Sequence, residues 1–105
     1  MNVQTISILF AAYMLTGSNT LAAGDVQAGQ LKAETCLGCH AVQGYYNVYP
    51  TYRVPKLGGQ NAKYIETALK AYRDGSRAHG TMKANADNLS DQDMADIGSF
   101  IESQR

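Results

Sequence analysis

Apolar side chains recur at helical spacing in three stretches of the chain. Val26, Gly29, Ala33 and Cys36 lie three, four and three positions apart and share one face. That spacing predicts a helix from an N-cap at Asp25 to about Thr35. Glycine inside a helix costs about 1 kcal/mol relative to alanine, so Gly29 implies that another helix crosses closely there. A second stripe, Ile65, Ala68, Leu69 and Tyr72, predicts a helix from about Asn61 to Arg73. Glu66 and Lys70 make a favourable i,i+4 pair on it, and Gly75 in "DGS" suits the left-handed position that ends a helix. The third start is the clearest, with Ser90 as N-cap and Asp91 and Asp93 in the first turn, where the helix dipole favours acids. Met94, Ile97, Gly98 and Ile101 form its apolar face, with Phe100 beside it. Gly98, like Gly29, allows a close approach, so the first and last helices are expected to cross at these two glycines.

Two segments between the helices show no period: "HAVQGYYNVYPTYRVPKLGGQ" (40–60) and "SRAHGTMKANADN" (76–88). Both are rich in turn formers. No strand-like alternation, repeat or low-complexity tract is evident, so the pattern predicts an all-α protein with long loops. Loops of this length in a compact domain usually wrap a ligand or are disordered.

Residues 1–23 contain no charged side chain, and an apolar run from Ile6 to Leu15 is followed by polar and then small residues. This is the layout of a secretory signal peptide, although its amino-terminal end has no Lys or Arg. The run falls short of the roughly 20 residues that span a bilayer, so stable membrane insertion is not expected. We assign residues 1–22 to a cleaved signal, with cleavage after Ala22 or Ala23, and residues 23–105 to one domain. That domain has no Trp and few large aliphatic side chains. A chain of this size is often marginal without a staple or cofactor.

Net charge is zero, but residues 53–83 hold seven Lys or Arg against Glu66 and Asp74. Residues 84–105 hold Asp87, Asp91, Asp93, Asp96 and Glu102 against Arg105 alone. Nucleic-acid binding normally needs an overall basic surface, and this chain lacks one. The asymmetry fits either solvated faces of separate helices or a dipolar molecule that orients as it meets a partner.

The chemistry concentrates in "CLGCH", residues 36–40, which holds both cysteines of the chain. Zinc needs four ligands, and Cys36, Cys39, His40 and His79 would supply them only nominally. Adjacent Cys39 and His40 can hardly both reach one small tetrahedral centre beside Cys36. A thioredoxin-like dithiol needs a βαβ setting, and no strands are expected. Covalent haem attachment uses every part of the motif: two thiols for the two vinyl groups, and a histidine held beneath the iron.

The pieces "GDVQAGQLKAETCLGCH", "PKLGGQNAKYI", and Met82 ahead of "NLSDQDMADIGSFI" resemble, in order, the class I c-type cytochromes, both the small bacterial monohaem kind and single domains of the dihaem kind. The resemblance implies a small cytochrome c fold, with three main helices and long loops wrapped around one covalently bound haem c. It implies thioether bonds from Cys36 and Cys39, His40 as proximal ligand and Met82 as distal ligand. Pro55, with Pro50 as competitor, resembles the proline whose carbonyl accepts the ligand histidine's hydrogen bond. Leu57 is expected on the haem face, and Gly29 with Phe100 at the helix crossing. For the distal position, Met94 reads instead as core packing and His79 as a solvent-facing loop residue. The stretch "GYYNVYPTYR" (44–53) departs from the family pattern. Tyr45, Tyr46, Tyr49 and Tyr52 either cover a haem edge or form a docking surface, and a tyrosine or Arg53 is a candidate partner for a haem propionate.

The function so implied is a periplasmic, monomeric electron carrier, not an enzyme, serving redox partner proteins whose identity the sequence does not give. The rival readings are a tightly bound haem subunit of a periplasmic dehydrogenase, and a haem enzyme or gas sensor with a labile distal ligand.

Overall fold

The computed structural model of the protein describes residues 23–41, 44, 46–48 and 51–104. The expected signal segment 1–22 lies outside these, as do Tyr45, Tyr49, Pro50 and Arg105. In chain order the elements are α1 (Val26–Lys32), α2 (Glu34–His40), β1 (Tyr46–Val48), β2 (Thr51–Arg53), α3 (Ala62–Asp74), α4 (Gly80–Ala86) and α5 (Asp91–Ser103). The architecture is mostly helical, with α5 packed between α1 and α3, and with α4 resting on α3.

The predicted helix starts are built by the expected side chains. Asp25 accepts the Gln27 and Ala28 amides of α1 at 2.8 and 3.0 Å. Asn61 accepts the Tyr64 amide of α3 at 3.0 Å, and Gly75 closes that helix at φ 89°. Ser90 and Asp93 form a reciprocal capping box on α5, the Ser90 hydroxyl accepting the Asp93 amide at 3.0 Å and the Asp93 carboxylate accepting the Ser90 amide at 2.9 Å.

The core is the apolar face of α5. Met94, Ile97, Phe100 and Ile101 are buried against Ala33, Ile65, Leu69 and Ala86. At Gly29 the α1 backbone touches α5: a methyl group there would stand 2.9 Å from the Phe100 Cβ and closer still to the Asp96 carbonyl. Gly98 has a different neighbour from the one expected. A methyl group on it would stand 2.6 Å from the Ala62 carbonyl oxygen. Gly98 therefore admits the start of α3, and α1 crosses α5 at Gly29 without it.

Several further expectations are corrected. The first helical stretch is two helices hinged at Ala33 (φ −86°, ψ 0°), and α2 continues to His40. Val26, placed on the buried face by spacing, is 43% exposed. Segment 40–60 contains an antiparallel hairpin, with Tyr46 opposite Arg53 and Val48 opposite Thr51. Its strands are three residues long, too short to register as alternation. Segment 76–88 contains α4. Glu66 pairs with Lys63 at 3.6 Å, one turn back, in place of Lys70.

Candidate functional site

A cavity of about 440 Å³ opens between α2, β2, α3, α4 and α5. Its apolar wall is Val54, Leu57, Ile65, Leu69, Ile97 and Ile101. Cys36, Cys39 and His40 line it from α2, and Met82 lines it from α4. These two helices make no packing contact with each other, so the cavity separates them.

The α2 side is held by the chain that follows β2. The His40 Nδ1–H donates to the Pro55 carbonyl at 2.7 Å, and the Leu57 amide donates to the His40 carbonyl at 3.3 Å. This pair clips residues 55–57 against the end of α2 and orients the imidazole. A carbonyl can only accept, so Nδ1 carries the proton and Nε2 keeps its lone pair for a metal. Leu57 is half-buried against the core, and Gly59 ties the same segment to α5 through the Ile101 carbonyl at 2.8 Å.

Both thiols are free, Cys36 half-buried and Cys39 exposed. Burial pushes the Cys36 thiol above its ordinary range. A working redox dithiol needs the opposite, a depressed thiolate pKa, so the structure speaks against a disulfide switch. Zinc also lacks a cage: among the described residues no three His, Cys, Asp or Glu side chains come together.

Met82 departs from its expected setting. It sits on helix α4, not in an aperiodic loop, and is half-buried against the core. The helix escapes a periodicity reading because Ala86 is its only buried residue. Its N-cap is His79, which is half-buried rather than solvent-facing and whose Nδ1 accepts the Met82 amide at 3.3 Å. Met94 is fully buried in the core, as expected.

Sequence reasoning misses Thr81 and treats Tyr52 only as one of four tyrosines, yet both line the cavity. Tyr52 turns inward, its hydroxyl donating to the Thr81 Oγ1 at 3.0 Å. The signal was present, since "YNV" and "TYR" flank a two-residue connection with the aromatic and β-branched residues of a hairpin. Of the same tyrosine-rich stretch, Tyr46 is exposed on β1.

The residues present fit a haem. The cavity has the size of a cofactor pocket, where about 300–1,000 Å³ is usual. Its walls are apolar, and two thiols and an oriented imidazole stand at one side with a thioether at the other. Arg53, Lys56 and Arg77 line it and, among the described residues, no carboxylate does, which suits a ligand bearing acidic groups.

Such a site defines a protein that carries one covalently held haem for electron transfer. Its family follows from the sequence matches. The family model "Cytochrome c" matches residues 26–105, and the chain belongs to the cytochrome c family. It is 46% identical over 85 residues to cytochrome c-554(548) of Halomonas halodenitrificans, covering 78% of this chain and 99% of that protein. It is 40% identical over 105 residues to cytochrome c4 of Pseudomonas aeruginosa, covering all of this chain but 50% of that one. Among solved structures, that of reduced recombinant cytochrome c4 from Pseudomonas stutzeri superposes with a TM-score of 0.56 at 28% identity, over 80% of this chain and 53% of that one. The chain thus spans the length of one relative and about half of the other two. With two cysteines in a single CXXCH motif, it carries one haem c.

Proposed function

We propose that the chain is an exported, periplasmic electron carrier whose haem is attached through Cys36 and Cys39 and ligated axially by His40 and Met82. The observation that supports it most directly is the shared cavity, with Cys36, Cys39 and His40 on α2 and Met82 across it on α4. When bound, the haem supplies an iron that cycles between ferric and ferrous states, with the thioether raising the potential. Pro55 fixes the His40 ring through its carbonyl, at 2.7 Å from Nδ1, and leaves Nε2 unprotonated, free to hold a metal. Leu57, Ile97 and Ile101 exclude water from the cavity's inner wall. With His40 and Met82 both holding the iron, no ligand position would be left open for a substrate or oxygen, and the chain would need no catalytic group. Residues 1–22 serve export in this reading.

Met82 is favoured over His79 because the His79 Nδ1 accepts a backbone amide, which leaves the neutral ring's proton on Nε2 and no lone pair there for a metal. It is favoured over Met94 because Met94 is fully buried in the core and does not line the cavity. A bound dehydrogenase subunit would present the tyrosine hairpin to its partner; of that hairpin Tyr52 lines the cavity and Tyr46 is exposed.

Absorption spectra of Met82→Ala test the assignment. The variant is expected to lose the weak sulfur–iron band at the red edge of the visible spectrum, to show a high-spin or water-ligated ferric form, and to bind carbon monoxide when reduced. His79→Ala and Met94→Leu are expected to keep the band. Its retention in Met82→Ala, or its loss in Met94→Leu, would assign the ligand elsewhere.

A further inference from the structure

We propose that Tyr52, Thr81 and His79 form a clamp that fixes Met82 at the distal position, so that the hairpin sets how readily another ligand displaces it. The proposal rests on Met82 being the distal ligand and adds positioning residues to that reading.

The helix that carries Met82 is poorly held by its own resources. It has seven residues, of which Ala86 alone is buried, and its backbone packs mainly on α3. A single short helix is marginal in water, so side-chain ties must hold its first turn. Three converge there. The His79 Nδ1 accepts the Met82 amide at 3.3 Å. An amide can only donate, so Nδ1 is the bare nitrogen and the neutral ring carries its proton on Nε2. The ring stands edge-on to Tyr52 (centroids 4.7 Å apart, planes at 84°) and to Tyr72 (6.3 Å, 75°). The Tyr52 hydroxyl then reaches past His79 to donate to Thr81, the residue before Met82, at 3.0 Å.

These contacts give the hairpin a purpose. Its strands pair with each other, and among the described residues Tyr52 ties it to the start of α4. That side chain grips both the residue before Met82 and the residue that caps the helix. For an incoming ligand to reach the iron, the thioether must leave, and the first turn of α4 must yield with it. The clamp opposes that movement directly. A chain lacking it would keep the same iron ligands but open more often.

Titration of the ferric holoprotein with imidazole, read by loss of the sulfur–iron band, measures the opening. Tyr52→Phe and Thr81→Val are each expected to tighten apparent imidazole binding about 3- to 10-fold, the range that one net hydrogen bond commands. The double variant should bind no tighter than either single one, because both remove the same bond. His79→Ala should tighten binding about 5- to 10-fold through the lost cap, and His79→Asn should return it towards the wild-type value, since Asn at an N-cap accepts the same amide. Phe100→Leu, buried at the α1–α5 contact, should lower the melting temperature and leave imidazole affinity unchanged. That separates positioning from general loosening. If Met82→Ala abolishes the band while Tyr52→Phe, Thr81→Val and His79→Ala all bind imidazole within about twofold of wild type, less than one net hydrogen bond commands, the clamp is wrong and the ligand assignment stands. If Met82→Ala keeps the band, the ligand assignment fails and the clamp falls with it.

Discussion

At the α1–α5 contact two backbones meet at Gly29, Phe100 is buried beside it, and Asp96 gathers three donors: the Asp25 amide at 2.8 Å, Lys32 at 2.5 Å and Gln92 at 3.0 Å. Across the cavity, α4 and the hairpin are short, mostly exposed, and joined by Tyr52, Thr81 and His79. The first region is held by close packing of protein on protein. The second faces the place where haem is bound, and its elements have little else to pack on. The frame comprising α1, α3 and α5 is therefore the part the sequence stabilises by itself, and the distal wall is the part completed by the cofactor.

Preventing haem attachment is the strongest way to break this comparison. A Cys36→Ser/Cys39→Ser double variant leaves a cavity of about 440 Å³ without its filling. At about 24 cal/mol per Å³ a dry void of that size would cost on the order of 10 kcal/mol. Water entry makes this an upper bound, but it rivals the roughly 5–15 kcal/mol total stability of a domain. The apoprotein is expected to be mostly unfolded, with any residual amide protection confined to α1, α3 and α5. Protection of α4 in the apoprotein would show that the wall supports itself.

Gly29→Ala attacks the frame. The added methyl meets backbone atoms of α5, which cannot turn aside as a flexible side chain can. Overpacking of this kind costs about 1–3 kcal/mol, and alanine's better helix propensity returns only about 1 kcal/mol. The loss should dominate and lower the melting temperature of the holoprotein. Gly80→Ala, in the first turn of α4, meets nothing within 4 Å, and should be neutral or slightly stabilising. Equal effects at the two sites would erase the distinction between a packed frame and an open wall.

Asp96 tests the frame through pH. Its side chain is 4% exposed, and the Asp25 amide first, then Lys32, hold its pKa down at about 2 against an ordinary 3.8. A depressed carboxylate stabilises the fold above its unfolded pKa and loses that contribution as pH falls through its folded value. The contribution at pH 7 is about 2 kcal/mol, lost between about pH 4 and pH 2. Asp96→Asn should therefore lower the melting temperature by about 10 °C at pH 7, with the gap to wild type closing towards pH 2. Asp74, Asp91 and Asp93 are shifted in the same direction by hydrogen bonds and cationic neighbours. Asp74 and Asp91 steepen the acid limb of both proteins alike, whereas Asp93 shares Lys32 with Asp96 and responds to the substitution with it. A gap that is constant with pH would mean that Asn replaces only shape.

These two regions also differ in how much of them is legible in the sequence. The frame is written in local signals: Asp25, Asn61 and Ser90 announce helix starts, Gly75 a stop, and Met94, Ile97 and Ile101 a buried stripe. The CXXCH motif and Pro55 are equally local, since the clip at His40 spans 15 positions between two recognisable residues. The wall is not written that way. Helix α4 buries one alanine and is capped by a histidine, so neither stripe nor usual cap marks it. The hairpin has strands of only three residues, too short to show an alternation. The hinge at Ala33 and the partner of Gly98 depend on which helix arrives from elsewhere, and spacing along one helix carries no such information.

The smallest expected effect concerns charge at the cavity rim. The excess of Lys and Arg over residues 53–83 suggests five cations around the haem edge: Arg53, Lys56, Arg73, Arg77 and Lys83. The fold removes two of them, because Arg73 pairs with Asp91 at 2.5 Å and Lys83 with Asp87 at 2.9 Å. Arg53, Lys56 and Arg77 line the cavity, which no carboxylate among the described residues lines, and Arg77 is stacked over Tyr72 at 4.8 Å. With zero net charge, the molecule exerts no net long-range pull, and what remains is its charge asymmetry and this local patch. In water, two unit charges about 10 Å apart interact by about 0.4 kcal/mol, so each rim cation is worth about a twofold change in encounter rate. Reduction of an anionic small oxidant should thus fall several-fold as ionic strength rises through about 0.1 M, where the Debye length is about 10 Å. Lys56→Gln should remove about half of the low-salt rate, by the same Coulomb arithmetic, while a neutral oxidant should respond to neither salt nor substitution. An Arg73→Gln/Asp91→Asn double variant is the control, because it removes a pair whose charges already cancel. It should leave the anionic rate nearly unchanged, and an effect equal to that of Lys56→Gln would place the docking patch on α3 rather than at the rim.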